Sequence, residues 1–350
     1  GAATLGGAAT LGRPYTRYAR TGSGNPPVVS GTFFWEALSP ESLMASYLLR
    51  RLALTAPVLL GIVIVTFMIV QLIPGDAVSA MQGQVKMSAQ QMEQMREALG
   101  LNDPLHVQLG RYLARLAQGD LGRSLFGAQP VALLIAANLG ATIQLTVAAM
   151  LVAIAIGVPL GVFAAVKQGS AWDVLATVVA MLGVSVPAFW LGLMMIQLFA
   201  VTLGWLPITG DRGVRGLVMP AVALGVAEAA IITRLTRSTL LEVLGTDYVR
   251  TARAKGLVER AVVWKHALRN ALLPLLTMVG MQFGALFGGA VIIENVFSRQ
   301  GLGTLATQAV INRDFPVVQG CVMVAAVLYV LVNLLVDVLY AVVDPRIRYG

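Results

Sequence analysis

The stretch Asp247-Tyr-Val-Arg-Thr-Ala-Arg-Ala-Lys-Gly256 interrupts a chain of 350 residues that is 57% hydrophobic and only 12% charged. The runs on either side of it are apolar and long enough to cross a bilayer. That contrast decides the fold class. A chain with a mean hydropathy of +0.78 is an integral membrane protein, and its elements are helices. A basic, small-residue helix held between two spans then needs a reason, and the obvious one is a soluble partner that docks on it.

Six apolar runs flank that stretch, at about 52–73, 139–166, 174–203, 217–235, 271–293 and 317–343. About 20 apolar residues at a rise of ~1.5 Å each cross a hydrocarbon core of roughly 30 Å. The expected fold is therefore all-α, with six transmembrane helices. The fourth run is short and carries Pro220 and Glu228, which read as interruptions. Pro187 and Pro274 also lie inside apolar runs and are expected to kink or break their helices, as packing features or as gates. A cleavable signal peptide competes for the first run, because Val78-Ser79-Ala80 resembles a cleavage site, but the run is too long for it. Residues 1–43 repeat GAATLG and continue rich in Gly, Ser, Pro and Thr. They read as a flexible extension before a membrane domain at 44–350.

The net charge of +8 raises the question of nucleic acid, but its distribution gives a different answer. If the 247–256 stretch faces the cytosol, the segments on its side hold 16 of the 25 Lys and Arg residues. The first outer loop instead balances five basic residues with five acidic ones. This is the positive-inside pattern, and it places both termini in the cytosol. No nucleic-acid partner is required. His106 and His266 lack metal-ligand spacing, and the single Cys321 excludes an intrachain disulfide.

The outer loop, about 74–137, is too patterned to be a bare connection. Ser88-Ala-Gln-Gln91 is a capping box, Met92, Met95 and Leu99 share a face, and Gly100 is placed to end that helix. Asp103-Pro104 reads as an N-cap followed by Pro at the first helical position. Leu105, Leu109, Tyr112, Leu113 and Leu116 then form a stripe that ends at Gly119. The loop is expected to be a helical cap between the first two spans, needing a surface to bury against.

In the inner loop, about 236–270, Thr246 or Asp247 can cap a short helix, and Gly256 can end it with a positive φ. A second helix is expected from about 258 toward the fifth span. Arg250 and Arg253 share a face, and Ala252 and Ala254 permit close approach of another surface. The residues alone leave two readings open. The loop is either a docking element for a soluble protein or a basic segment resting on anionic lipid.

A resemblance separates them. From Tyr47 to Gly350 the chain resembles the B-type permease subunits of the dipeptide/oligopeptide/nickel ABC importers. The motifs that carry it are Leu72-Ile-Pro-Gly-Asp76, Gly119-Asp-Leu-Gly-Arg-Ser124, Ser185-Val-Pro-Ala-Phe-Trp190, Leu241-Glu-Val-Leu-Gly245, Asp247 to Gly256, His266-Ala-Leu-Arg-Asn-Ala-Leu-Leu-Pro274, Pro316-Val-Val-Gln-Gly320 and Asp344-Pro-Arg-Ile-Arg348. The resemblance implies the type I importer permease fold in a bacterial inner membrane. It also implies that Asp247, Tyr248, Arg250, Thr251, Ala252, Arg253, Ala254, Lys255 and Gly256 form the coupling helix that docks on a cytosolic ATPase. The implied partners are a homologous C-type permease, two ATP-binding subunits, a periplasmic or lipid-anchored substrate-binding protein and membrane lipid. The cargo would be a peptide, with glutathione or chelated nickel as alternatives. ATP and Mg would belong to the partner ATPases; this chain would hold no cofactor and catalyse no reaction. The chain departs from the family pattern at Thr246, where Glu is usual, and at Arg299-Gln300, where Trp-Pro is usual.

Carboxylates within spans are costly and mark function by default. Glu228, Gln282 and Glu294 are expected to face the translocation path. The competing reading is that Glu294, like Asp337, ties helices together near an interface. Gly280, Gly284, Gly288 and Gly289 are spaced for close helix packing. Two other classes remain: an ion-coupled carrier working alone, which predicts paired mid-membrane ionisable groups and internal pseudo-symmetry, and a membrane scaffold without transport.

Overall fold

A computed structural model describes residues 40–72, 78–79, 88–208 and 213–343. Most of the 1–43 extension, the Pro74-Gly75-Asp76 turn and the Asp344-Pro-Arg-Ile-Arg348 motif lie outside the described residues. Every regular element described is helical. The order is α1 (Pro40–Leu72), α2 (Ala89–Leu99), α3 (Leu105–Ala117), α4 (Val131–Val166), α5 (Ala171–Ser185), α6 (Ala188–Met195), α7 (Val214–Leu244), α8 (Asp247–Ala254), α9 (Glu259–Ala261), α10 (Leu268–Val296), α11 (Leu302–Asn312) and α12 (Phe315–Val343). A π-helical stretch, Ile196–Thr202, extends α6, and a second, Val262–Ala267, joins α9 to α10.

Among the described residues, five helices are long and apolar enough to cross a membrane, and the bent pair α5–α6 makes a sixth if counted as one span. The bend falls at Pro187, inside the run read at 174–203, where a kink or break was expected. The chain bends by 95° between α5 and α6, where Val186 is extended and Pro187 opens the next helix. Proline disfavours helical geometry in the residue before it and withholds its own N–H, so the break falls where two causes coincide. Pro220 and Pro274 behave differently. Both lie inside uninterrupted helices, and α7 runs for 31 residues through Pro220 and Glu228 instead of being short and divided. Pro220 is only the seventh residue of α7, so the interrupted turn is near its start.

The centre of the bundle is the contact of α4 with α7, and glycines set its closeness. A Cβ on Gly157 would lie 2.7 Å from the Ala229 carbonyl oxygen, one on Gly161 2.6 Å from that of Thr233, and one on Gly225 2.5 Å from that of Ala149. The backbones therefore meet where a methyl group does not fit. Leu145, Ala149, Met219, Leu224, Ile232, Leu286 and Ile293 close the core around this seam, with α10 as the third wall. On α10, Gly280 lies against Val336 and Gly284 against Tyr329 of α12, while Gly289 meets Leu224 of α7. Gly288 faces open space, so it plays no part in the packing read from its spacing.

Among the described residues, the segment between α1 and α4 includes the helices α2 and α3. Ser88 and Gln91 form the capping box, and Gly100 ends α2 with φ 66°. The start of α3 corrects the expectation by one residue. Pro104 occupies the cap, and the Asp103 carboxylate accepts a 2.7 Å bond from Arg111 instead of capping. A charge-assisted bond to a guanidinium outcompetes a single backbone N–H. The stripe of α3 finds its surface on the spans: Tyr112 is buried and stacks on Phe67 of α1 at 6.1 Å, beside Val63 and Met323. The loop re-enters the bundle through Ser124, whose hydroxyl donates to the buried Asp314 carboxylate before α12.

Candidate functional site

The end of the bundle that carries α8 is built from the inside out. Val249 is wholly buried among Val162 and Ala165 of α4, Leu240 of α7, and Val262, Val263, Ala267 and Leu268. Ala252, one turn on, packs against the same cluster. That face seats α8; the opposite face, with Asp247, Arg250, Thr251, Ala254 and Lys255, is exposed. Of the two alanines expected to admit another surface, only Ala254 points outward. The i, i+3 spacing puts Ala252 under Val249, toward the core.

Polar bonds then fix the helix at both ends. Thr246 holds the cap position with an extended backbone but no side-chain cap bond. Its hydroxyl donates 2.6 Å to the Val243 carbonyl and so closes α7 instead. Neither Thr246 nor Asp247 caps α8 in the expected sense. Asp247 instead brings negative charge to the first turn, where the helix dipole favours it, and accepts a 3.4 Å bond from Arg250. The Tyr248 hydroxyl accepts 2.8 Å from Asn270, tying α8 to the root of α10. Gly256, at φ 76°, turns the chain back. Arg253 grips Glu259 across this turn with two bonds of 2.6 and 3.1 Å. The guanidinium holds the Glu259 carboxyl below its ordinary range, and Glu259 raises Arg253 in return. Arg250 and Arg253 thus differ. Arg253 is spent on the turn, whereas Arg250 keeps 73% of its side chain exposed. Beside it Tyr248, Leu257, Val258 and Trp264 leave apolar surface exposed. The result is a rigid basic ridge with apolar shoulders.

The residues read as a translocation path separate into two places. Glu228 of α7 and Gln282 of α10 are brought together, the amide donating to the carboxylate. Gln282 borders a face of α10 where Met281, Ala285, Gly288 and Ile292 are exposed. Glu294 lies 12 residues further along α10, about 18 Å away at helical rise, and is fully buried. Its carboxylate accepts 2.5 Å from Thr142, 2.8 Å from the Gly303 N–H and 3.2 Å from the Thr304 N–H. Thr142 accepts the Leu302 N–H in turn. Glu294 therefore serves as a remote cap for α11, and its position corrects the expectation that it faces a path. Arg299, the departure after the fifth span, donates to Gln144 at 3.0 Å, and burial holds its guanidinium below the usual arginine range despite the nearby Glu294.

One pair escaped the sequence reading. Asp173 of α5 receives two bonds from Arg237 of α7, at 2.6 and 2.8 Å, and a third from the Gly169 N–H at 3.0 Å. The signal that could have found the pair was Asp173 at the third position after the cap Ser170, a carboxylate at the membrane edge of an apolar run. Among the described residues no cluster of His, Cys, Asp and Glu could hold a metal ion.

The comparisons with known proteins accord with this geometry. The family of binding-protein-dependent transport system inner membrane components matches residues 157–349, and the N-terminal region of such components matches 44–146. The dipeptide transport system permease protein DppB of Alkalihalophilus pseudofirmus is 44% identical over 334 residues, covering 87% of this chain and 100% of that protein. The glutathione transport system permease protein GsiC of Salmonella paratyphi A is 43% identical over 306 residues, again 87% and 100%. The di/tripeptide transport system permease protein DppB of Pseudomonas aeruginosa is 42% identical, covering 87% and 99%. A chain of the MetNI methionine ABC transporter, in an inward-facing conformation, superposes with a TM-score of 0.54 at 23% identity, over 61% of this chain and 97% of that one, and shows the shared fold. The chain belongs to the family of binding-protein-dependent transport system inner membrane components, the multi-pass permease subunits of ABC transporters.

Proposed function

We propose that this chain is half of the translocation unit of an ATP-driven peptide importer, and that α8 is the element through which a cytosolic ATPase drives it. The observation that carries the reading is the mounting of α8. One face is locked into the bundle by Val249 and Tyr248, and the other presents Arg250, Ala254 and Lys255 to a partner. A loop that only rested on lipid headgroups would need no such seat. ABC membership calls for an ATPase and a substrate-binding protein in general. The finer composition proposed is a homologous C-type permease and two ATP-binding subunits, with ATP and Mg held by the ATPases. The assembly sits in a bacterial inner membrane with α8 and both termini in the cytosol, an orientation supported by the charge distribution. ATP binding closes the ATPases, draws the coupling helices together and opens the path outward; hydrolysis resets it.

Peptide cargo is supported by the relatives that are dipeptide and di/tripeptide permeases, and glutathione, itself a peptide, stands as the second reading through GsiC. Glu228 with Gln282 is proposed to border the path and to meet the cargo's ammonium group. The decisive experiment reconstitutes the full complex in proteoliposomes and measures ATP-dependent uptake of labelled dipeptide and glutathione. Uptake by the isolated chain under an ion gradient without ATP would overturn the reading, and so would failure of Arg250→Cys to cross-link to the ATPase.

A further inference from the structure

The broken span is loosely held. α5 turns Val174, Val178, Met181 and Leu182 away from the rest of the chain, Trp172 meets only the edge of Phe163 of α4, and only Asp173 and Ala176 of this helix are buried. At one end it bends by 95° into α6. It packs mainly along α7, with a smaller contact on α4 beside the turn that joins them, and two places on the α7 side stand out. Near the α8 end, Arg237 grips Asp173 with two bonds, and Asp173 also fastens the α4–α5 turn through the Gly169 N–H. Toward the bend, a Cβ on Gly183 would lie 3.3 Å from the Ala230 Cβ. The Asp173 side chain is 8% exposed and that of Arg237 31%, so Asp173 is the charge that would be left without a counter-ion in a buried place if the pair opened. α7 is one unbroken helix, and only Gly245 and Thr246 separate it from α8.

We propose that the Asp173–Arg237 ion pair is a strut that makes α5 follow α7, so that movement of the coupling helix is delivered to the bend at Val186–Pro187. A helix with so little packing of its own goes where its fixed end goes. α8 displaces α7, Arg237 carries Asp173 with it, and the angle between α5 and α6 absorbs the difference. Asp173 and Arg237 are thus positioning residues for the transport cycle. They touch neither cargo nor nucleotide. The inference rests on α8 being the docking element.

The test uses the complete transporter in proteoliposomes and reads uptake per ATP hydrolysed. Asp173→Asn should lower that ratio at least about fivefold, the low end of ordinary coupling between two sites, while ATP hydrolysis continues. Exchanging the charges, Asp173→Arg with Arg237→Asp, should recover most of it, which a general packing defect would not. A second arm locks α5 to α7 covalently, with Gly183→Cys and Ala230→Cys in a Cys321→Ser background; the Cβ separation is close to that of a disulfide. If the helices move together, the oxidised lock leaves uptake intact. An unchanged ratio in Asp173→Asn, or loss of uptake on oxidation that reduction restores, overturns the strut. If Asp173→Asn does not assemble, the lock decides alone. Absence of ATP-driven uptake in the native complex would instead strike the transporter reading itself.

Discussion

Replacing Gly161 by Ala is a demanding test of how the bundle is held. Alanine is the better helix former by about 1 kcal/mol, so on local grounds the change should stabilise α4. The structure reverses that sign. The added Cβ would sit 2.5 Å from the Thr236 Cβ and 2.6 Å from the Thr233 carbonyl oxygen, whereas ordinary contact begins at 3.4 Å. Thr236 is fully buried and the oxygen is backbone, so neither can swing aside. The helices must part by the best part of ~1 Å, and a gap of that size forfeits a quarter to a half of each dispersion contact along the seam. Overpacking of this kind costs about 1–3 kcal/mol, and backbone involvement puts Gly161 at the upper end. The net expectation is a loss of about 1–2 kcal/mol. Gly140 is the internal control, because it lies in the same helix with nothing within 4 Å of its added Cβ. Unfolding of the purified chain in mixed micelles, titrated with denaturing detergent, should separate the two alanine variants by about 2–3 kcal/mol in opposite directions. Equal midpoints would show that the glycine seam does not set the spacing of α4 and α7.

Three further outcomes follow from the same contacts. Arg250→Glu removes no packing, so the chain should fold normally while its affinity for the ATPase falls tenfold or more, about 1.4 kcal/mol; unchanged affinity in a pull-down titration would deny it a docking role. Glu294→Ala orphans the Gly303 and Thr304 N–H groups and the Thr142 hydroxyl at about 1–3 kcal/mol for each buried donor, so hydrogen exchange should rise at the start of α11, and an unaltered pattern there would contradict the remote cap. The Glu259 carboxyl is lowered by Arg253, so the stability of the turn after α8 is present above the ordinary value of 4.5 and is lost as pH falls through the lowered one. Exchange at residues 253–259, corrected for intrinsic rate, should therefore stay level above pH 4.5 and accelerate only in stronger acid.

The legible part of this protein was what repeats or what is capped. The apolar runs gave the spans because a bilayer of fixed thickness demands a fixed length of helix, and one side chain after another reports on that solvent. Ser88, Gln91, Gly100 and Gly256 were read correctly because caps and positive-φ turns depend on their immediate neighbours in the chain. The basic ridge at 247–256 stood out by its charge contrast, and its residue pattern indicated a helix followed by a turn. The illegible part was what each side chain meets. Ala252 and Ala254 look alike in sequence, and only the seat of Val249 turns one inward. Glu228 and Glu294 are both carboxylates in apolar runs, yet one meets an amide beside an exposed face and the other closes a buried bracket.

Composition and local pattern were enough to establish an all-α membrane chain, the approximate place of each span, with the start of α4 and the end of α7 missed by eight and nine residues, and the one basic stretch that stands out between spans. These follow from solvent and local backbone chemistry. Tertiary structure decided that the helices through Pro220 and Pro274 stay continuous, that Gly157, Gly161 and Gly225 set the distance between α4 and α7, and that Asp173 and Arg237, 64 positions apart, are one unit. Those outcomes depend on which helices are neighbours. Polarity and volume in a sequence state what each residue needs, and the packed bundle alone states which partner supplies it.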